Sequence, residues 1–296
     1  MANEMGWVVM AHTWKGMSTS DYPAIALALV QDPSAFAIVP ERSMQGLFEA
    51  MAALRLTRGA FADDDLVKFP DAAGLPQSVI DPERAGYYGN SQGGVLGGAY
   101  LAMTPDLDRG VFGVPGMPYS LLLTRSKDFE QYFQILEQKY TDHRDIQLLI
   151  GLYEMLWEPA EGLGWAYSMN RDRQATIEPK QVLLQVAIGD AQVTPLGAHV
   201  MARAYGASTV YPQTRPIFGT IEQTVPFDGS AIVEFQYTDV PEVPVENLPP
   251  DEANDTHECP RRESRGQLQI RDFLENGVVE QYCDGICEGV RADTCP

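Results

Sequence analysis

Apolar residues along the chain fall into two kinds of run. Gly6 to Ala11, Ala85 to Gly89, Val111 to Val114, Val182 to Ile188 and Ser230 to Tyr237 are short and continuous rather than alternating. That is the pattern of strands covered on both faces. Between them, apolar positions recur at helical spacing. Met44, Leu47, Phe48, Met51 and Leu54 do so within Ser43 to Leu56, and Gln92 to Met103, Thr194 to Tyr205 and Gly266 to Asn276 read as further helices. From Tyr119 to about Lys180 the spacing is helical throughout, with Phe129, Tyr132, Phe133 and Leu136 in period and then Leu148, Leu149, Leu152 and Leu156. Lys15-Gly16-Met17-Ser18 reads as a turn, Asp81-Pro82 as a breaker, and Val240 to Asn254 as a Pro-rich acidic loop.

Strands alternating with helices predict an α/β fold with a mostly parallel sheet flanked by helices. Right-handed crossovers then bring the loops that follow the strands to one edge of the sheet. Residues 1–118 and 181–296 form the expected core, and residues 119–180 a helical insertion placed as a cap.

Composition narrows the function. The 296 residues carry 21 Lys plus Arg against 41 Asp plus Glu, a formal charge of -20, with 45% apolar residues. This is a globular composition, not a disordered or fibrous one. The acidic balance, with no basic cluster beyond Arg261-Arg262, argues against nucleic acid and anionic membranes. No apolar run approaches the roughly 18 residues of a spanning helix. Cysteine is confined to Cys259, Cys283, Cys287 and Cys295. An even, clustered set points to two disulfides in one of three pairings, and these spacings lack the paired knuckles of a zinc site. Cys259 with Cys283 and Cys287 with Cys295 is the expected pairing. Disulfides in turn suggest a secreted or periplasmic parent protein.

The candidate chemistry begins at Gly89-Asn90-Ser91-Gln92-Gly93, a GxSxG sequence at a strand-to-helix junction. In that context the turn exposes the Ser91 hydroxyl at the sheet edge, and small residues at 89 and 93 let strand and helix approach. A hydroxyl is a poor nucleophile without a base, and the base needs an orienting carboxylate. Of the four histidines, His257 follows the last strand and its long loop and is the candidate base. His199 reads as a packed helix residue, His143 lies in the insertion, and His12 ends the first run. Asp190, after the Val182 strand, is the candidate carboxylate, with a turn or helix-capping role as its bland alternative. Asp228 precedes its strand and points to the wrong edge, and Asp255 is too close in sequence to His257 to be the first choice.

In the order Ser91, Asp190, His257 the chain resembles the α/β-hydrolase family. Gly6-Trp-Val-Val-Met-Ala-His-Thr-Trp-Lys-Gly-Met-Ser is similar to that family's fourth strand and the loop after it. The resemblance implies a serine carboxylesterase acting on short to medium acyl esters, with no metal and no organic cofactor. The Gln92 backbone N–H would be one oxyanion donor, and His12, Trp14, Met17, Met117 and Tyr119 would form pocket walls. A peptidase or amidase of the same fold is the alternative enzyme, and a catalytically weak binding module the alternative of another class. In the family three strands precede the fourth, and the loop after the third supplies the second oxyanion donor. With no residues here to build them, either the sheet starts at the fourth strand or Gly6 to Ala11 does the third strand's work. In the first case that strand is expected to sit beside Ala85 to Gly89 or to pair with a second copy, which makes a homodimer the expected assembly.

Overall fold

A computed structural model describes residues 2–170, 179–240, 255–291 and 295. The central sheet has seven strands: β1 Tyr87–Asn90, β2 Arg109–Gly113, β3 Gln181–Ala187, β4 Ser208–Val210, β5 Glu222–Gln223, β6 Ala231–Thr238 and β7 Cys287–Val290. They run in the order β1-β2-β3-β6-β4-β5, and every pairing is parallel. The β4 strand pairs with β6 at Ala231 and Ile232, and β7 pairs in parallel with β6 from Phe235 to Thr238, so the two share one edge of β6 in tandem. Two small antiparallel ladders stand apart, Lys68–Pro70 with Pro76–Ser78 and Phe227–Asp228 with Val278–Val279.

The longer helices are α1 Tyr22–Gln31, α2 Ile38–Arg58, α3 Gln92–Met103, α4 Glu130–Lys139, α5 His143–Trp157, α6 Pro195–Tyr205 and α7 Ser264–Asn276. The continuous apolar run of β3 is explained by cover on both faces. Val182, Leu184 and Val186 pack with Ala99 of α3, Leu47 of α2 and Met201 of α6, whereas Leu183 and Ala187 pack with Ile270 and Phe273 of α7. Burying such side chains from water stabilises by about 1.5–3 kcal/mol each. A third core lies outside the sheet, where Leu29, Phe36 and Val39 meet Leu136, Ile146, Ile150 and Trp157 over Val95 and Leu96 of α3.

The structure corrects several expectations. Gly6 to Ala11 is not a strand, and Val8 and Val9 are 54% and 61% exposed. A continuous apolar run signals burial, but a strand also needs a hydrogen-bonding neighbour, and none among the described residues pairs with this segment. It neither starts the sheet nor joins β1, whose second edge carries no strand among the described residues. Trp7 instead donates to Glu275 of α7 at 2.8 Å. The segment 119–180 is broken into Tyr119–Leu122, α4, α5 and Ala166–Asn170, and the layer over α3 also recruits α1 and Pro33–Ala37. Residues 171–178 of that stretch, and 241–254 of the acidic loop, lie outside the described residues. No helix among the described residues is long and apolar enough to cross a membrane.

Candidate functional site

The β1–α3 junction forces Ser91 into an uncommon backbone conformation, φ 58° and ψ -123°. Positive φ in a residue with a Cβ costs free energy and persists only where surrounding contacts impose it. Those contacts are present. The Ser91 N–H donates to the Gly113 carbonyl at 2.8 Å, and the Ser91 carbonyl accepts from Gly94 and Val95 at 2.7 and 3.0 Å. A Cβ on Gly89 would meet the Gly93 carbonyl oxygen at 2.3 Å, so only glycine fits there. Gly93 is different, because a Cβ there meets only the Tyr87 Oη at 3.6 Å. The close approach of α3 to the sheet falls one residue later, where a Cβ on Gly94 would meet the Gly113 oxygen at 2.9 Å. The N–H groups of Gln92 and Gly93 find no acceptor among the described residues and stand at the positive end of α3.

Asp190 follows β3 through Gly189, whose φ of 93° turns the chain. Its Oδ1 accepts the N–H groups of Gln192 and Val193, both at 2.8 Å, so it caps the turn before α6. It also meets His257. Nδ1 of His257 lies 2.8 Å from Asp190 Oδ2 and 3.0 Å from Oδ1, with the two residues 3% and 1% exposed. A carboxylate at that distance requires the proton on Nδ1, which leaves Nε2 as the basic nitrogen. Burial alone would lower the imidazole pKa. The hydrogen bond and charge of Asp190, supported by Asp255 and Asp128, outweigh it and hold His257 above its ordinary 6.5.

Asp255, set aside on sequence distance alone, joins the two loops. Its Oδ1 accepts the N–H groups of Ala191 at 3.0 Å and His257 at 3.1 Å, and its Oδ2 accepts from Gln192 Nε2 at 2.8 Å. Thr256 adds a bond to the Ile188 carbonyl at 3.0 Å, and Arg291 Nε one to the Asp255 carbonyl at 2.6 Å. Only an Asp two residues before the histidine hinted at this in the sequence.

The disulfides are Cys259–Cys295 and Cys283–Cys287, which corrects the expected pairing. The reason is topological. Because β7 runs parallel to β6, it starts at Cys287 beside Cys283 and delivers Cys295 to the edge where the chain after β6 has placed Cys259. The Cys259–Cys295 bridge therefore ties down the segment that begins two residues after His257.

A cavity of about 770 Å³ opens on Ser91 and Gln92. Ile25 and Leu29 of α1, Phe36, Val39, Leu123 and Trp157 give it apolar walls, and Lys127, Asp128 and Gln192 add polar ones. Of the residues expected in pocket walls, Met17 and Tyr119 line this cavity, and His12, Trp14 and Met117 do not. Met117 is fully buried in the sheet core, and Trp14 packs edge-on against Tyr100 with His12 stacked on it, because the segment before it runs along α2 and not in the sheet. His199, in α6, bonds Glu234 at 2.7 Å, and His143 begins α5, so neither competes with His257.

Nucleophile candidate, base and acid all follow C-terminal ends of parallel strands and share one sheet edge. Asp190 and His257 are in contact, whereas the Ser91 hydroxyl makes no hydrogen bond among the described residues and His257 does not border the cavity. No grouping of His, Cys, Asp and Glu among the described residues is suited to hold a metal ion. No family model, no curated protein and no solved structure matches the chain.

Proposed function

We propose that this protein is a serine hydrolase of the α/β-hydrolase kind that cleaves carboxylic esters. The observation that carries the reading is Ser91, held at positive φ between a parallel strand and a helix N-terminus and facing a largely apolar cavity. Ser91 Oγ attacks the ester carbonyl and His257 Nε2 takes its proton. Asp190 keeps Nδ1 protonated and steadies the imidazolium. The negative oxygen of the tetrahedral intermediate lies against the Gln92 N–H, where preorganised donors lower the barrier. His257 then protonates the leaving alcohol, and water repeats the sequence on the acyl-enzyme. Residues 119–170 act as a cap whose apolar inner wall, with Tyr119, Leu122, Leu123, Phe129 and Trp157, receives the acyl group. A fluorophosphonate probe tests this directly. One equivalent is expected on Ser91, and no labelling of a cooperatively folding protein would overturn the reading. Faster turnover of aminoacyl arylamides than of acyl esters would move the assignment to peptidase.

The two disulfides should differ in their effect on this chemistry. Cys295→Ser releases the His257 segment, so hydrolysis of a short aryl ester is expected to fall sharply. The melting temperature should fall by several degrees, since a bridge closing a loop of this size contributes about 2–4 kcal/mol. Cys283→Ser with Cys287→Ser opens a loop of sequence separation 4 and should leave turnover near the wild-type value. Equal losses in the two variants would mean that Cys259–Cys295 does not position the base.

A further inference from the structure

Two buried carboxylates hold the start of the helix that bears the cavity-lining Tyr119, with no cation bonded to either among the described residues. Glu154 on α5 is 8% exposed and Glu161, just past the turn that ends α5, is 0% exposed. Each spends one oxygen on the start of the Tyr119–Leu122 helix. The Tyr119 N–H donates to Glu161 Oε2 and the Ser120 N–H to Glu154 Oε2, both at 2.9 Å. The remaining oxygens, Oε1 of each, are buried with no donor among the described residues, and the bonds to two consecutive N–H groups bring the two side chains to the same helix start.

The groups that face the pair are Glu158 from its own turn, the Tyr119 phenol, and the Tyr205 phenol of α6, which donates to the Gly162 carbonyl at 3.2 Å. None is cationic, and no Lys, Arg or His among the described residues bonds either carboxylate. Two bare carboxylates buried side by side are strongly unfavourable, and a single proton between them satisfies both orphan oxygens at once.

What the pair holds is the residue above the elbow. The Tyr119 ring stacks on Trp157 at 4.1 Å, and its hydroxyl accepts from Gln92 Nε2. Gln92 also carries the candidate oxyanion N–H.

We propose that Glu154 and Glu161 share one proton and act as a positioning clamp, which seats Tyr119 on Gln92 and so sets the oxyanion side of the ester-cleaving site. The clamp rests on the reading of Ser91 as the nucleophile for its effect on turnover, but the shared proton does not. Burial, reinforced by the charge of Glu154, pushes Glu161 up to about 10. The folded chain therefore keeps a proton that the unfolded chain releases near the ordinary 4.5. The stabilisation is complete below that value and is lost as pH rises toward about 10. Hydroxide removing the proton leaves two facing anions, and repulsion then loosens the seat of Tyr119.

Infrared spectroscopy of the full chain at pH 7 is expected to show the C=O stretch of a buried protonated carboxyl, absent in Glu161→Gln. The amide of that variant replaces the shared proton permanently, so its melting temperature should decline less than that of wild type between pH 5 and 9. In turnover, Glu154→Ala with Glu161→Ala should lower kcat by up to about 100-fold, the cost of a misplacement of roughly 1 Å. Glu161→Gln should restore most of that loss and flatten the alkaline limb of the pH profile. An absent infrared band with parallel melting curves would overturn the shared proton, and an unchanged kcat in the double alanine variant would overturn the positioning role. Because the infrared and melting readouts do not involve Ser91, a failure of fluorophosphonate labelling would count against the ester reading alone.

Discussion

Ser91→Ala is expected to lower kcat for a short-chain aryl ester by about 10⁶-fold, the scale on which removing a serine nucleophile acts. Its melting temperature should stay close to that of wild type, since the Ser91 hydroxyl makes no hydrogen bond among the described residues and alanine fills the same space. Ser91→Gly should be equally inactive but more stable, by about 1 kcal/mol. Glycine removes the penalty of a side chain at φ 58° and gives back part of the gain through its more flexible unfolded state. An inactive variant that melts above wild type is the mark of strain kept for function. Retained hydrolysis in Ser91→Ala would sink the mechanism, and a lower melting temperature in Ser91→Gly would remove the argument from strain.

Asp190→Asn should reduce kcat/KM by roughly 10⁴-fold. The amide can offer its own N–H to Nδ1 of His257, which places the imidazole proton on Nε2, where the base must be free. The substitution should also move the pH dependence. In wild type the imidazole is held above 6.5, because the bond to Asp190 outweighs burial, so kcat/KM rises with pH through a midpoint above 6.5. Without that charge burial prevails, and the midpoint of the residual activity shifts downward. The sign for stability is the opposite one. A raised histidine pKa stabilises the fold fully below 6.5, and this is lost as pH rises through the folded value, a dependence that Asp190→Asn should flatten. pH–rate profiles together with imidazole NMR titration measure both effects. An acid limb that stays in place would show that Asp190 does not control the base.

Much of the scaffold could be read from the chain because its signals are local. Gln92–Met103 is the helix that its small residues predict, and Val182 to Ile188 differs from β3 by one residue at each end. Asp190 and His257 could be paired from sequence because parallel strands deliver the loops that follow them to one edge. The staple at Asp255 and the Glu154–Glu161 clamp could not, since their partners are backbone N–H groups and a second carboxylate brought in from separate elements. Their residue types alone look like ordinary surface acids.

Gly6 to Ala11 marks the boundary between the two kinds of knowledge. Its apolar run is as strand-like as that of β3, yet β3 has β2 and β6 on its two edges and Gly6 to Ala11 has no strand beside it among the described residues. The disulfides make the same point, because cysteine count and clustering are visible in the sequence while the pairing follows from β7 lying parallel on β6. The sequence by itself determined the α/β class, the order of most strands and helices, the strained turn at Ser91 and the positions of the candidate base and acid. These depend on periodicity, glycine placement and side-chain chemistry within a few positions. Tertiary structure alone decided which strands find neighbours, which cysteines meet, which walls enclose the cavity and which buried carboxylates face each other. Those outcomes are set by contacts between distant segments, whose free energy depends on the position of every other element in the fold.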